Sequence, residues 1–157
     1  MGKDARILIV DDDENIRKVL TTILEEEGYI IESVDTAKKA IERTKKKSYN
    51  LALIDIRLPD MEGIELLTRM MDTTPKMRKI IITGYPTIQN AIEAVNRGAD
   101  AYILKPFDME KVLKLIEDQL ERQRAEKRYS QERVVEFIET RVREIEKENK
   151  VVQTKSP

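Results

Sequence analysis

Five short apolar runs punctuate the first three-quarters of the chain: Ile7–Val10, Tyr29–Val34, Leu51–Asp55, Lys79–Thr83 and Ala101–Leu104. Each is strand-sized and bounded by turn signals, and the first is rich in β-branched residues, which predicts strands buried in a parallel sheet. The second, interrupted by Glu32 and Ser33, is the least apolar and is expected nearer an edge. Between the runs the spacing changes to that of helices. Ile16, Val19, Leu20, Ile23 and Leu24 form one stripe, closed by Gly28; Ala37, Ala40 and Ile41 follow Thr36. Ile64, Leu67 and Met71 precede Pro75; Ile88, Ala91, Ile92 and Val95 lie between Pro86-Thr87 and Gly98. Val112, Leu115, Ile116 and Leu120 follow Asp108, a natural N-cap. Strands alternating with helices imply a doubly wound α/β sandwich, with helices on both faces of a five-stranded parallel sheet. Residues 1–120 are enough for one such domain.

From Glu121 onward the pattern changes again. Charged residues dominate until Val134, after which Val135, Ile138, Val142, Ile145, Asn149 and Val152 recur at alternating three- and four-residue steps. Read as a heptad these occupy a and d, with Asn149 at a, Glu139 and Glu146 at e, and Arg141 at g. Residues 121–157 are therefore expected to form a helical extension. It is either a short coiled coil that pairs two copies of the chain, or a single charged helix supported by pairs such as Glu139–Arg143 and Glu146–Lys150.

Composition narrows the function. The net charge of -1 argues against a general nucleic-acid or membrane-surface binder, and no apolar run is long enough to span a bilayer. Met1–Arg6 has no signal-peptide core and is a poor myristoylation site. With no cysteine the chain fits a reducing cytoplasm, and thiolate chemistry is excluded. The absence of histidine removes the usual general base and any phosphohistidine formed on this chain. Only five glycines are present, none in a phosphate-binding loop pattern. Carboxylates, amines and hydroxyls remain.

Those groups stand at the strand ends. The first strand leads into Asp11-Asp12, the third ends in Asp55, the fourth in Thr83, and the fifth is followed by Lys105. In an open parallel sheet all lie on the carboxyl edge, where ligands bind. Taken singly, Asp55 reads equally as a cap of the following turn. Packing alone, however, does not require four strands to hand a polar group to the same edge. Three carboxylates gathered there either raise a pKa or recruit a cation, and an all-oxygen site suits Mg²⁺. Lys105 and Thr83 add a point charge and a hydroxyl donor, together a cradle for a phosphoryl group. Asp55 would be its nucleophile.

The acidic pair Asp11-Asp12, the Asp55-x-x-x-Pro59 loop with Gly63, Thr83-Gly84, and Tyr102-x-x-Lys105-Pro106 together resemble the receiver domain of two-component response regulators. The resemblance runs from about Arg6 to Gln119. It implies a flavodoxin-like fold with strand order 2-1-3-4-5, and Asp55 as acceptor of a phosphoryl group from a histidine kinase. It implies a Mg²⁺ site made by Asp12, by Asp11 through water, by Asp55 and by the backbone carbonyl of Arg57, and a cis Lys105-Pro106 peptide. Thr83 and Tyr102 would be the switch residues that remodel the face formed by the fourth helix, fifth strand and fifth helix. The chain would then be a regulatory phosphoacceptor whose only chemistry is self-phosphorylation and self-dephosphorylation.

Two other classes stay open. A haloacid-dehalogenase-like phosphatase would use Asp11 as nucleophile and Asp13 as acid/base, although Asn15 is unusual there and the later acidic metal pair is missing. A receiver-like adaptor would act through its tail alone. Within the receiver reading the tail holds no helix-turn-helix or zinc motif, so direct nucleic-acid binding is not expected. The chain is read as a single-domain receiver with a helical extension, or as part of a larger regulator or hybrid kinase.

Overall fold

The computed structural model describes residues 4–70, 76–84 and 86–154, with the backbone alone for 151–154. Met71 and Pro75, expected at the end of the third helix, lie outside the described residues. Five strands, β1 (Arg6–Val10), β2 (Ile30–Val34), β3 (Leu51–Asp55), β4 (Arg78–Thr83) and β5 (Ala101–Leu104), alternate with five helices. The helices are α1 (Glu14–Glu26), α2 (Ala37–Lys46), α3 (Gly63–Arg69), α4 (Ile88–Asn96) and α5 (Met109–Thr154). All pairings are parallel, in the order β2-β1-β3-β4-β5. This is the flavodoxin-like architecture expected from the sequence. β3 is buried along its whole length, whereas β2 forms one edge and exposes Ile30.

The two-residue period of the strands sorts the core into two layers. Ile7, Ile9, Leu51, Leu53, Ile80 and Ile82 pack with Leu20 and Leu24 of α1 and Val112, Ile116 and Leu120 of α5. Leu8, Val10, Ala52, Ile54 and Ile81 pack on the other face with Ala37 and Ala40 of α2, Ile64 and Leu67 of α3, and Ala94 of α4. Local chemistry sets the helix ends. The side chains of Asp13, Thr36 and Thr87 accept backbone N–H bonds at the starts of α1, α2 and α4. Past the ends of α1 and α4, Gly28 and Gly98 adopt φ of 96° and 103°, the left-handed conformation that glycine takes without strain.

Two helical stripes are not used as their spacing suggests. Val19 of α1 is exposed, and so are Ile88, Ile92 and Val95 of α4; Ile88 reaches 82% exposure. In α4 the small Ala94 faces the core instead. Periodicity defines a face, but the face of α4 that meets the core is the one bearing Ala94.

The chain divides into two units, Met1–Gln123 and Arg124–Pro157. The compositional change at Glu121 comes slightly before this division, because Gln119 and Gln123 are still buried. Gln123 Nε2 donates to the carbonyls of Asn50 (2.9 Å) and Lys76 (2.8 Å), tying the segments that enter β3 and β4 to α5. The second unit is helical to Thr154 and exposes Tyr129, Val134, Val135, Phe137, Ile138, Val142 and Ile145. Among the described residues, no helix is long and apolar enough to cross a membrane.

Candidate functional site: an acidic cluster at the carboxyl edge

Parallel pairing aligns the carboxyl ends of β1, β3, β4 and β5, and the polar residues at those ends converge. Carboxylate oxygens of Asp11, Asp12 and Asp55 lie within 4.8 Å of one another. Asp11 and Asp55 are 3% and 7% exposed, whereas Asp12 opens to solvent. Lys105 reaches in from beyond β5, its Nζ 3.0 Å from Asp11 Oδ2 and 3.3 Å from Asp55 Oδ2. Backbone geometry fixes each participant. Asp11 N donates to Val34 O, Asp11 Oδ1 accepts from Asp13 N at 2.9 Å, and Arg17 Nη1 donates to the Asp11 carbonyl at 2.7 Å. Asp55 Oδ1 accepts from Arg57 N at 3.4 Å.

The charges do not balance. Three carboxylates face one ammonium, so the cluster carries excess negative charge when all are ionised. Burial, reinforced by the charge of Asp11, raises the pKa of Asp55, and Lys105 and the Arg57 amide only partly oppose it. Burial by itself would lower the pKa of Lys105, but its hydrogen bond to Asp11 and the charges of both carboxylates raise it on balance. Lys105 therefore stays an ammonium at neutral pH. An all-oxygen cluster with residual negative charge and one open side can hold a metal ion, and hard divalent cations prefer such donors.

Thr83, the last residue of β4, is fully buried, and its carbonyl accepts from Lys105 N at 2.8 Å, so the two strand ends are tied together. Gly84 follows with only ordinary space between it and the Lys105 side chain. The Lys105-Pro106 peptide is cis. Tyr102 on β5 packs against the core layer containing Ala94, and its hydroxyl is buried without a hydrogen-bond partner. Arg57 is exposed and forms an isolated antiparallel bridge with Glu62, pinching the loop after β3.

Three residues matter more than their sequence signals suggested. Gly63 N donates to Ile56 O at 2.6 Å, and a Cβ on Gly63 would overlap the Asp55 carbonyl oxygen. Glycine is required there by close approach, a need visible only as its fixed distance from Asp55. Asp60 caps α2 from a distance: its two carboxylate oxygens accept from Ala37 N and Lys38 N, each at 2.9 Å. Those bonds pull its pKa down against the opposing effect of burial. Arg17 holds the Asp11 backbone, and nothing in the local sequence announces that role.

The response regulator receiver domain model matches residues 7–117, and the chain belongs to that family. A receiver domain protein (CheY-like) from Methanospirillum hungatei JF-1 is 45% identical and superposes with a TM-score of 0.75, covering 78% of this chain and 98% of that one. The beryllofluoride-activated NtrC4 receiver domain dimer is 32% identical at a TM-score of 0.71, covering 78% and 99%. The transcriptional regulatory protein ZraR of Klebsiella oxytoca is 34% identical over 111 residues, which are 71% of this chain and 25% of that relative. The chain spans about a quarter of the length of the first curated relatives it matches.

Proposed function

We propose that this chain is the receiver of a phosphorelay, and that Asp55 accepts a phosphoryl group from the phosphohistidine of a histidine kinase. The observation that carries this reading is the junction of Asp11, Asp12 and Asp55 with Lys105 at a single sheet edge. Asp11, Asp12, Asp55 and the Arg57 backbone carbonyl would hold Mg²⁺. The donors are all oxygen, as that ion prefers. When bound, the cation neutralises charge on the phosphoryl oxygens and on the carboxylates around them.

In the step itself an Asp55 carboxylate oxygen attacks phosphorus in line with the bond to the donor nitrogen. The new P–O bond forms as the P–N bond breaks, and the electron pair leaves with the imidazole. Asp55 needs no general base, because a carboxylate nucleophile carries no proton that must be removed before it attacks. Lys105 supplies an ammonium beside the reacting oxygen, and Thr83 a hydroxyl for another phosphoryl oxygen. Hydrogen bonding of Thr83 to the new phosphate, with Tyr102 seated inward, would be the switch acting on the α4–β5–α5 face, where Ile88, Ile92, Val95 and Leu104 are exposed.

The chain's only chemistry in this reading is its own phosphorylation and dephosphorylation, in the cytoplasm. A histidine kinase is the partner of the acidic site and a second copy of this chain the partner of the tail, with no direct contact to nucleic acid. The phosphatase alternative, built on Asp11 and Asp13, is not favoured: Asp13 directs its carboxylate to Asn15 N (2.9 Å) and Ile16 N (3.3 Å) as the cap of α1.

The test is incubation with Mg²⁺ and acetyl phosphate followed by intact mass measurement. One phosphoryl group should appear on the wild type, and none when EDTA replaces Mg²⁺ or when Asp55→Asn is used. Substantial labelling of Asp55→Asn would exclude Asp55 as the acceptor.

A further inference from the structure

The tail bears an apolar seam that the receiver chemistry does not use. Val135, Ile138, Val142 and Ile145 are 54%, 53%, 48% and 45% exposed, although each is aliphatic and each stands three or four residues from the next. Four such residues on one line of a helix form a continuous strip with period 3.5, the repeat that lets two helices supercoil with their strips in register. Val134 stands at the first g position; the other e and g positions beside the seam hold Glu139, Arg141, Glu146 and Glu148, and their signs are informative.

We propose that the tail pairs with the tail of a second copy of this chain as a parallel, in-register, two-stranded coiled coil over residues 135–149. This goes beyond the phosphoacceptor reading and does not depend on it. Charge complementarity selects the occupant and its direction. In a parallel pair, g of one helix faces e of the next heptad on the partner, so Arg141 meets Glu146 of the other copy, twice by symmetry. An antiparallel pair would instead bring e against e and g against g, where the repulsion of Glu139 and Glu146 cancels the attraction of Arg141 and Glu148, so only the parallel pair gains net charge complementarity. Within one helix Arg141 Nη1 bonds Glu144 Oε2 at 2.9 Å. Both groups are more than half exposed, so that contact is readily exchanged for the interchain one. Asn149 takes the last a position; a buried asparagine pair there fixes register and favours two strands over three. The side chain of Val152, the following d residue, lies outside the described residues.

Sedimentation of the full chain without phosphoryl donor tests the proposal. A reversible dimer is expected between about 10 and 200 µM, the weak range that a seam of two heptads supports. Ile138→Asp, at an exposed position, should leave the receiver folded by circular dichroism and the chain monomeric. Arg141→Glu should weaken dimerisation about tenfold, since two symmetric pairs turn repulsive at once. Adding Glu146→Arg should restore it, which purely intrahelical pairing with Glu144 would not do. The chain contains no cysteine, so Ile138→Cys introduces a unique thiol. A parallel, in-register pair must cross-link through it on mild oxidation. A chain that stays monomeric, a trimer, or a dimer that fails to cross-link at residue 138 overturns the proposal. Labelling of Asp55 is read separately, so neither result can stand in for the other.

Discussion

Replacing Asp55 with Asn should stabilise the metal-free protein at neutral pH, because the site is electrostatically strained. Asp55 stands no more than 4.8 Å from the carboxylate oxygens of Asp11 and Asp12, and 3.3 Å from the Lys105 ammonium. At an effective dielectric of 20, each repulsion is roughly 3.5 kcal/mol and the attraction roughly 5 kcal/mol. Solvent screens the contribution of the exposed Asp12, while burial adds a cost for the charge on Asp55 itself. The net penalty is about 2 kcal/mol, in the same direction as the raised pKa of Asp55. The sign follows from the direction of the shift. The folded protein holds the Asp55 proton more tightly than the unfolded chain, whose value is near 3.8. Below that value both states are protonated and the penalty is absent; it appears as pH rises through the folded pKa. Urea unfolding in EDTA, followed by circular dichroism from pH 4 to 8, should therefore show Asp55→Asn more stable at pH 7 by about 2 kcal/mol. The difference should shrink towards pH 4. Millimolar Mg²⁺ should stabilise the wild type and narrow the gap from the other side. An Asn variant less stable than the wild type at pH 7, or a gap independent of pH, would refute the electrostatic reasoning.

Two further outcomes follow from the packing. Gly63→Ala forces a methyl group against the Asp55 carbonyl, so it should cost about 1–3 kcal/mol in urea unfolding and slow labelling by acetyl phosphate. Labelling at the wild-type rate would show that the loop yields without moving Asp55. Gln123→Ala removes the Gln123 donor from the Lys76 carbonyl and leaves the Asn50 carbonyl with Arg78 N; it should cost about 1–3 kcal/mol, while Arg124→Ala just beyond it should be nearly neutral. Equal effects of the two would remove the case that Gln123 anchors α5.

The central strands were legible because burial on both faces leaves an unbroken apolar run, as in Ile7–Val10 and Leu51–Ile54. The site was legible for a related reason: parallel strands bring their carboxyl ends to one edge, so Asp11, Asp55 and Lys105 could be grouped without knowing any distance. What escaped the sequence was long-range pairing of polar groups. Asp60 reads as an ordinary turn residue, yet its partners are the first amides of α2, 23 and 22 residues away. Gln119 and Gln123 sit in a charged stretch and are nevertheless buried, and Gln123 donates to the carbonyls of Asn50 and Lys76. Lys79, within β4, is likewise buried with its Nζ donating to Leu67 O at 3.1 Å. For α4 the difficulty was opposite: a clear stripe of Ile88, Ile92 and Val95 exists, but no period states whether a face meets the core or the solvent.

Reductive trapping of the acyl phosphate addresses the phosphoacceptor directly. The protein is incubated with Mg²⁺ and acetyl phosphate, quenched with borohydride, digested and sequenced by mass spectrometry. Borohydride converts an aspartyl phosphate to homoserine and leaves free carboxylates untouched. Homoserine at position 55, with Asp11, Asp12 and Asp13 intact, is the expected result. Homoserine at position 11, or unmodified aspartate at position 55 in a protein that has taken up phosphate, would contradict it.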